Sequence, residues 1–175
     1  MKAAIHREEL YSDQLSWLSV KPMLLSVRGK DVHAKTEVYR QLSEGQRALY
    51  LFYSYHNHTG TLAEFYWFSA YYMIEHKAWD DMKDAVRYFD DPAFVRTLEL
   101  VHSAIESKLK AGGEWTMAKP QDLDTDLAFQ ATIQTIYDRY RELTPQLIKR
   151  MNDWVFTHQD ELFVVEGSSG KDGMS

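Results

Sequence analysis

The sequence predicts an all-α protein, a compact single-domain bundle of about six to eight helices around a central aromatic αα-hairpin. Apolar residues recur every three or four positions along most of the 175 residues, and the alternation typical of strands is nearly absent. Helix-capping signals precede several of these segments. Ten aromatic residues fall within positions 50–72, interrupted by the polar turn at 56–60. Two aromatic helices joined by a short turn are therefore expected there.

Composition bounds the class of protein. Hydrophobic residues make up 45% and charged residues 26%, so we expect a folded domain over residues 1–166. The segment 167–175, GSSGKDGMS, has the composition of a flexible tail. The sequence shows no transmembrane run and no apolar leader, which favours a cytoplasmic protein that does not enter a membrane. There is no cysteine, which excludes disulfides, thiolate metal sites and cysteine nucleophiles.

The negative charge is unevenly distributed. The formal net charge is −6: residues 1–50 carry eight basic and six acidic side chains, and residues 51–175 carry twelve and twenty. A negative domain repels the phosphate backbone, so direct nucleic-acid binding is not expected. The same charge favours a basic protein as partner.

The N-terminal third predicts two short helices, at residues 8–20 and 31–42. Pro22 and the turn at 28–30 are expected to separate them, because proline removes a backbone donor and clashes inside a helix.

Two capping boxes define the central hairpin. Ser43 with Gln46 begins a helix that ends near His56, and Thr61 with Glu64 begins one that ends near His76. Both helices are apolar on more than one face, which is typical of buried helices.

The next two helices have clear local signals. A short helix is predicted at 78–89. Asp91 then precedes proline at the first position of an amphipathic helix, which Gly112 and Gly113 are expected to end.

The C-terminal part predicts one loop and one long helical segment. Residues 112–123 form the longest expected loop. From Phe129 to Trp154 an apolar stripe continues for about seven turns and stays in phase across Pro145. We therefore expect either a kinked helix or a nearly collinear restart, with Thr144 as the cap of the second helix.

Histidines, a carboxylate and a tyrosine at the hairpin are the candidate site residues: His56, His58, Glu64, Tyr72 and His76. They fit a small-ligand or metal-dependent helical enzyme, in which a histidine is the base or a ligand and tyrosines orient the substrate. The competing interpretation is that the histidines cap helices or hydrogen-bond to tyrosines. One metal cannot easily reach both ends of the hairpin, so we expect no bound metal and no cofactor.

Two acidic clusters admit two interpretations. The run 80–84, Asp-Asp-Met-Lys-Asp, matches a pattern that binds magnesium diphosphate in helical terpene synthases. Asp122, Asp124 and Asp126 form a second cluster, which fits a surface for a basic partner, and Asp124 or Asp126 also fits the cap of the next helix. For both clusters a solvated helix face is the favoured interpretation.

One region resembles a known family. The His56–Gly60 turn followed by the aromatic segment 63–68 is similar to a family of small acidic helical bacterial proteins that includes DNA-mimic proteins. In that family an Asn-Gly-Gly turn precedes the aromatic helix, whereas here the paired glycines are absent and Glu64 stands where an amide is expected. The resemblance covers about a quarter of the chain and implies an acidic helical protein that acts by binding a protein partner.

The leading hypothesis for function is a non-enzymatic binding module. It would engage a protein partner through acidic helix faces or an aromatic groove, and the aromatic content also leaves room for a homodimer. The alternative is the small-ligand-binding or metal-dependent enzyme with its His/Glu/Tyr site at the hairpin.

Overall fold

The computed structural model describes residues 1–166, apart from the side chain of Val32, and it is 72% helical. The predicted tail at 167–175 lies outside the described residues. Within residues 1–166 there are nine α-helices: α1 Leu15–Val27, α2 Val32–Arg40, α3 Glu44–His56, α4 Leu62–Ile74, α5 Trp79–Tyr88, α6 Pro92–Leu109, α7 Asp122–Thr125, α8 Leu127–Thr157 and α9 Gln159–Leu162. Four short strands accompany them: β1 Ala3–His6, β2 Lys110–Ala111, β3 Glu114–Trp115 and β4 Phe163–Glu166. The all-α prediction is confirmed.

The chain divides into two compact units. Unit 1 comprises Met1–Tyr50 and the chain from Ile148, and unit 2 comprises Leu51–Leu147. The boundaries fall inside α3 and α8. That residues 1–166 fold as one domain stays a prediction.

The first predicted helix has the wrong boundaries. Residues 7–11 form a 3-10 helix, and α1 begins only at Leu15 and continues through Pro22 to Val27. Pro22 is exposed, whereas Val20 and Met23 beside it are buried. Burial of the apolar residues on both sides of the proline offsets the lost hydrogen bond, so Pro22 does not separate two helices.

The predicted caps of α3 and α4 are confirmed. The Thr61 hydroxyl accepts from the Glu64 amide at 3.2 Å, and the Glu64 carboxylate accepts from the Thr61 amide at 2.9 Å. Ser43 and Gln46 form the same pair of bonds, at 3.4 and 3.1 Å. These reciprocal bonds satisfy backbone donors that the first turn of a helix leaves unpaired.

The predicted end of α6 needs correction, although its start is confirmed. Asp91 accepts from the Phe94 amide at 3.0 Å and caps the helix. The helix ends at Leu109, and Gly112 and Gly113 form the turn of a hairpin between β2 and β3. Both glycines have positive φ, 60° and 89°, which suits such a turn as well as it suits a helix cap. Part of the expected 112–123 loop is therefore strand and part is α7.

The 31-residue helix α8 continues through Pro145. The Thr144 hydroxyl donates to the Tyr140 carbonyl at 2.7 Å, so Thr144 does not cap a second helix. Because the proline nitrogen carries no hydrogen, the normal bond to the carbonyl of Arg141 is missing at this turn. Of the two expected geometries, the single helix is the one observed.

The parallel pair β1 and β4 was not predicted. Ala3 pairs with Phe163 and His6 with Glu166 in unit 1. In β1, Ala3 and Ile5 are buried, whereas Ala4 and His6 are exposed. Four residues are too few to show this alternation clearly in the sequence.

In unit 1, one side chain of α8 joins that helix to the start of α1. The Asn152 carboxamide oxygen accepts from the Ser16 amide at 2.8 Å and from its hydroxyl at 2.6 Å. The Asn152 nitrogen donates to the Asp13 carbonyl at 2.6 Å. Asn152 therefore caps the first turn of α1, whose own N-cap residue, Gln14, makes no side-chain cap bond.

The core of unit 2 is centred on Tyr140 of α8, which is 1% exposed. Its ring lies 5.0 Å from that of Phe65, 5.2 Å from Phe94 and 6.2 Å from Tyr55. Tilted and edge-on aromatic pairs at these distances stabilise a core beyond the area that they bury. Helices α3, α4, α6 and α8 therefore meet through their aromatic side chains.

Candidate functional site

His56, the last residue of α3, is bound within the core of unit 2. Its Nδ1 lies 2.7 Å from the Tyr140 hydroxyl, and its ring stacks on Phe52 at 5.1 Å. The Thr59 hydroxyl lies 3.1 Å from the same tyrosine oxygen and donates to the His56 carbonyl at 2.9 Å. Tyr137 completes the network by donating to the Thr59 carbonyl at 3.1 Å.

Burial shifts the acid–base properties of this network. Removal from water lowers the pKa of the His56 imidazole and raises the pKa of the Tyr140 hydroxyl. Both groups are therefore neutral near pH 7, and His56 lies in the environment of a structural hydrogen-bond partner.

His58 and Glu64 lie on the surface near the start of α4. The His58 ring stacks on Phe68 at 4.5 Å with an interplanar angle of 14°. Glu64 accepts bonds from both the amide and the hydroxyl of Thr61. Each of the two side chains thus has a local role at the hairpin turn.

Tyr72 and His76 lie at the other end of α4. The Tyr72 hydroxyl is 2.9 Å from the Ser54 hydroxyl, and Tyr72 is buried. The His76 ring stacks on Tyr71 at 5.6 Å and meets Tyr72 edge-on at 5.1 Å. Among the contacts described for the five candidate residues, this edge-on pair brings two of them together.

The histidines and carboxylates do not assemble into a metal site in the described part of the chain. No group of three or more His, Asp or Glu side chains within residues 1–166 has the arrangement that holds a metal ion. In the run at 80–84, Asp80 pairs with Lys83 at 2.7 Å and Asp84 with Arg87 at 2.6 Å. Two of its three carboxylates are therefore engaged on their own helix.

In the acidic cluster at 122–126, two of the three carboxylates are bound to partners within unit 2. Asp122 accepts from the buried Tyr66 hydroxyl at 2.7 Å, and burial together with this bond raises the pKa of Tyr66. Asp126 accepts from the Phe129 amide at 3.0 Å and pairs with Lys108 at 2.7 Å. The expectation that one of these aspartates caps the long helix is confirmed for Asp126.

The sequence did not single out the outward side of α4. Trp67, Phe68 and Tyr71 are partly exposed there, whereas Phe65 and Ser69 of the same helix are buried. We call the outward residues Glu64, Trp67, Phe68, Tyr71 and Glu75, together with the stacked His58 and His76, the α4 face.

The rings of the α4 face form an ordered stack. Trp67 stacks on Tyr71 at 5.5 Å with an interplanar angle of 10°, and Tyr71 in turn stacks on His76. Trp67 and Phe68 meet edge-on at 4.9 Å. These contacts hold the side chains in one arrangement before any partner arrives, which reduces the entropy lost on binding.

Carboxylates lie at both ends of the stack. Glu64 and Glu75 are exposed and occur on the same side of the helix as Phe68 and Tyr71, at spacings of four, three and four residues. Since a helix rises about 1.5 Å per residue, the two glutamates are separated by roughly 16 Å. The face is thus an aromatic strip with negative charge at each end.

The helical period of this stripe was the signal that could have identified the face. Aromatic residues occupy α4 on several sides, which predicts a buried helix. The small residues Ser69 and Ala70, however, lie on the buried side and allow close packing there. The large rings opposite them are therefore the ones left at the surface.

Comparison with known proteins adds no family to these observations. Searches against protein-family models, curated proteins and solved structures find no match to this chain. Within residues 1–166, none of the helices combines the length and the hydrophobicity needed to cross a bilayer.

Proposed function

We propose that the protein is a non-enzymatic binding module whose α4 face engages a basic segment of a partner protein. The observation that carries this proposal is the partly exposed stack of Trp67, Tyr71 and His76, bordered by Phe68 and by two exposed glutamates. Trp and Tyr are enriched among the residues that dominate binding energies at protein interfaces.

Aromatic rings and carboxylates together favour cations. A guanidinium group stacks well on an indole ring, and each such contact contributes about 0.5–1 kcal/mol at an exposed site. Arginine or lysine side chains of the partner would also pair with Glu64 and Glu75. Between residues 57 and 81 the chain carries four acidic side chains and one basic side chain, so the local charge is −3.

The spacing of the glutamates restricts the partner. An extended chain covers roughly 16 Å in about five residues. Because side chains of an extended segment alternate between its two faces, we expect two basic residues four or six positions apart, with an apolar or arginine side chain between them over Trp67.

The resemblance to acidic partner-binding helical proteins supports the same class of function. In our proposal the protein acts in the cytoplasm, by contact with another protein and without binding nucleic acid directly. The alternative of a helical enzyme has less support, because His56 and Tyr72 are each bound to a hydrogen-bond partner inside the protein.

Site-specific crosslinking tests the proposal. A photoreactive phenylalanine is placed at position 68 of the full chain in the cells that produce it. A second variant carries it at position 88, where Tyr88 is exposed on α5 outside the α4 face. Crosslinked proteins are identified, and the attached peptides are sequenced.

The expected result is a protein captured from position 68 and not from position 88, through a peptide with at least two Lys or Arg residues. Capture should fall when Glu75 is replaced by Gln, which removes the charge and keeps the shape of the side chain. If position 68 captures nothing, or the same proteins as position 88, the proposal is wrong.

A further inference from the structure

An open cleft lies between α6 and α8 in unit 2. Arg96, Glu99, Leu100 and Ser103 line it from α6, and Arg139 lines it from α8. Its volume is about 430 Å³. That size is within the range of roughly 300–1,000 Å³ found for small-molecule sites.

The two arginines of the cleft differ from the paired cations of α5 and α6. Within the described residues, the side chains of Arg96 and Arg139 form no hydrogen bond, ion pair or ring contact. By contrast, Lys83 pairs with Asp80 and Lys108 with Asp126. Two guanidinium groups without a partner on different helices therefore line one cleft of a protein whose net charge is −6.

The carboxylate in the cleft does not neutralise these arginines. Glu99 lies 3.6 Å from Arg87, which also bonds to Asp84 at 2.6 Å. Arg87 lines the adjoining cleft, which shares Arg96 and Glu99 with this one. The residues that line the cleft carry two positive charges, Arg96 and Arg139, and one negative charge, Glu99, so its own lining has a net charge of +1, whereas Asp90 and Asp91 line the adjoining cleft.

We propose that this cleft binds a small organic anion through Arg96 and Arg139. A planar guanidinium matches the paired oxygens of a phosphate or carboxylate, and a charge-assisted bond of this type is stronger than a neutral one. Ser103 offers a hydroxyl to the same group. Leu100, which is 50% exposed on the polar side of α6, provides an apolar contact for the organic part of the ligand.

The site is independent of the proposed function. It lies on α6 and α8, uses positive charge and takes an anion, whereas the α4 face takes a basic segment. Loss of either site by mutation is therefore expected to leave the other one active.

The test uses nuclear magnetic resonance of the Arg side-chain Nε signals in the full-length protein. The probes are inorganic phosphate, phenyl phosphate and phenylacetate, each at up to millimolar concentrations. Arg96→Gln and Arg139→Gln are compared with Arg141→Gln, which removes the same charge from α8. Arg141 lies over Tyr137 at 5.8 Å and does not line the cleft.

We expect the Arg96 and Arg139 signals to shift together on addition of phenyl phosphate or phenylacetate. The probe that binds more tightly shows whether the cleft prefers a phosphate or a carboxylate. Inorganic phosphate should bind more weakly, because it makes no contact with Leu100. Each cleft variant should weaken binding about tenfold or more, and Arg141→Gln should change it less than twofold. The proposal is overturned if neither organic probe moves the two signals, or if all three variants weaken binding equally.

Discussion

At the scale of single residues, the hydrogen bond between His56 and Tyr140 is the least predictable feature of the site. The two residues are 84 positions apart, and nothing in either local sequence identifies the other as its partner. The sequence does show that a buried imidazole needs a hydrogen-bond partner and that tyrosines are abundant. Which tyrosine supplies the bond depends on how α8 packs against α3, and packing is not visible in a local pattern.

Replacement of Tyr140 by Phe should lower the free energy of unfolding by about 1–3 kcal/mol, because it leaves the partly buried His56 nitrogen and the buried Thr59 hydroxyl without this partner. The measurement is urea denaturation at pH 7. Tyr11→Phe removes the same atom from a residue that is 79% exposed, and its effect should stay within about 0.5 kcal/mol. Equal effects of the two substitutions would contradict the structural role of the network.

His56 should also make stability depend on pH. Burial lowers its pKa below the ordinary value of 6.5, so the unfolded chain binds more protons than the folded one at mildly acidic pH. The contribution of His56 to stability is therefore complete above pH 6.5 and decreases as the pH falls from there toward the folded pKa.

The substitution His56→Asn tests this dependence, since Asn keeps a polar atom near Tyr140 and does not titrate. The fall in stability between pH 7 and pH 5 should become smaller in this variant. In the control His102→Asn the fall should not become smaller, because His102 is a partly exposed residue of α6 that takes no part in the network around Tyr140. A fall that is unchanged in His56→Asn would show that other groups cause it.

At the scale of helices, local signals predicted starts better than ends. The capping residues Ser43, Thr61 and Asp91 each bind the backbone of their own first turn, so a few neighbouring positions are sufficient to define them. Gly112 and Gly113 supply positive φ to a helix cap or to a hairpin, and the sequence does not distinguish the two. Strands β1 and β4 pair across about 160 positions, a contact for which the sequence carries no local signal.

Pro145 should reduce the stability of α8. In Pro145→Ala the alanine nitrogen can donate to the Arg141 carbonyl, which stabilises the folded state. Alanine also gives the unfolded chain more conformational freedom, which offsets part of this gain. The free energy of unfolding should therefore rise by about 1–2 kcal/mol. Pro92 lies in the first turn of α6, where the missing donor costs nothing. Pro92→Ala is therefore the matched control, and thermal unfolding should show no gain for it. A gain in Pro92→Ala as large as in Pro145→Ala would contradict this account.

Gly45 is required where α3 meets α8 in unit 1. A Cβ atom at this position would overlap the ring of Trp154. Alanine improves helix propensity by about 1 kcal/mol, but the overlap costs about 1–3 kcal/mol, so Gly45→Ala should destabilise the protein. In a double-mutant cycle the same substitution should become neutral or stabilising once Trp154 is replaced by Leu. Equal losses in both backgrounds would show that the Trp154 ring is not the cause.

At the scale of the whole molecule, the charge distribution favours a basic partner for the proposed binding module. Acidic side chains exceed basic ones by six, yet many carboxylates of unit 2 are already bonded, including Asp80, Asp84, Asp122 and Asp126. Glu75 at the end of the α4 face is exposed. Composition predicted a basic partner, and only the structure indicates where on the surface charge and aromatic rings occur together.

The measurement that tests the central claim most directly is a titration of the tryptophan indole signals with a short arginine peptide. The peptide carries two arginines six positions apart in a flexible Gly/Ser background, an even spacing that places both on one face of an extended chain and spans the roughly 16 Å between Glu64 and Glu75. Trp67→Phe assigns the relevant signal among those of the five tryptophans.

We expect the Trp67 signal to shift with a saturable dependence on the arginine peptide. The affinity should decrease in Glu75→Gln and at high salt, because part of the attraction is between exposed charges. A peptide with glutamates in place of the arginines should have no effect. If the Trp67 signal does not move, or moves equally with both peptides, the α4 face is not a site for a basic segment.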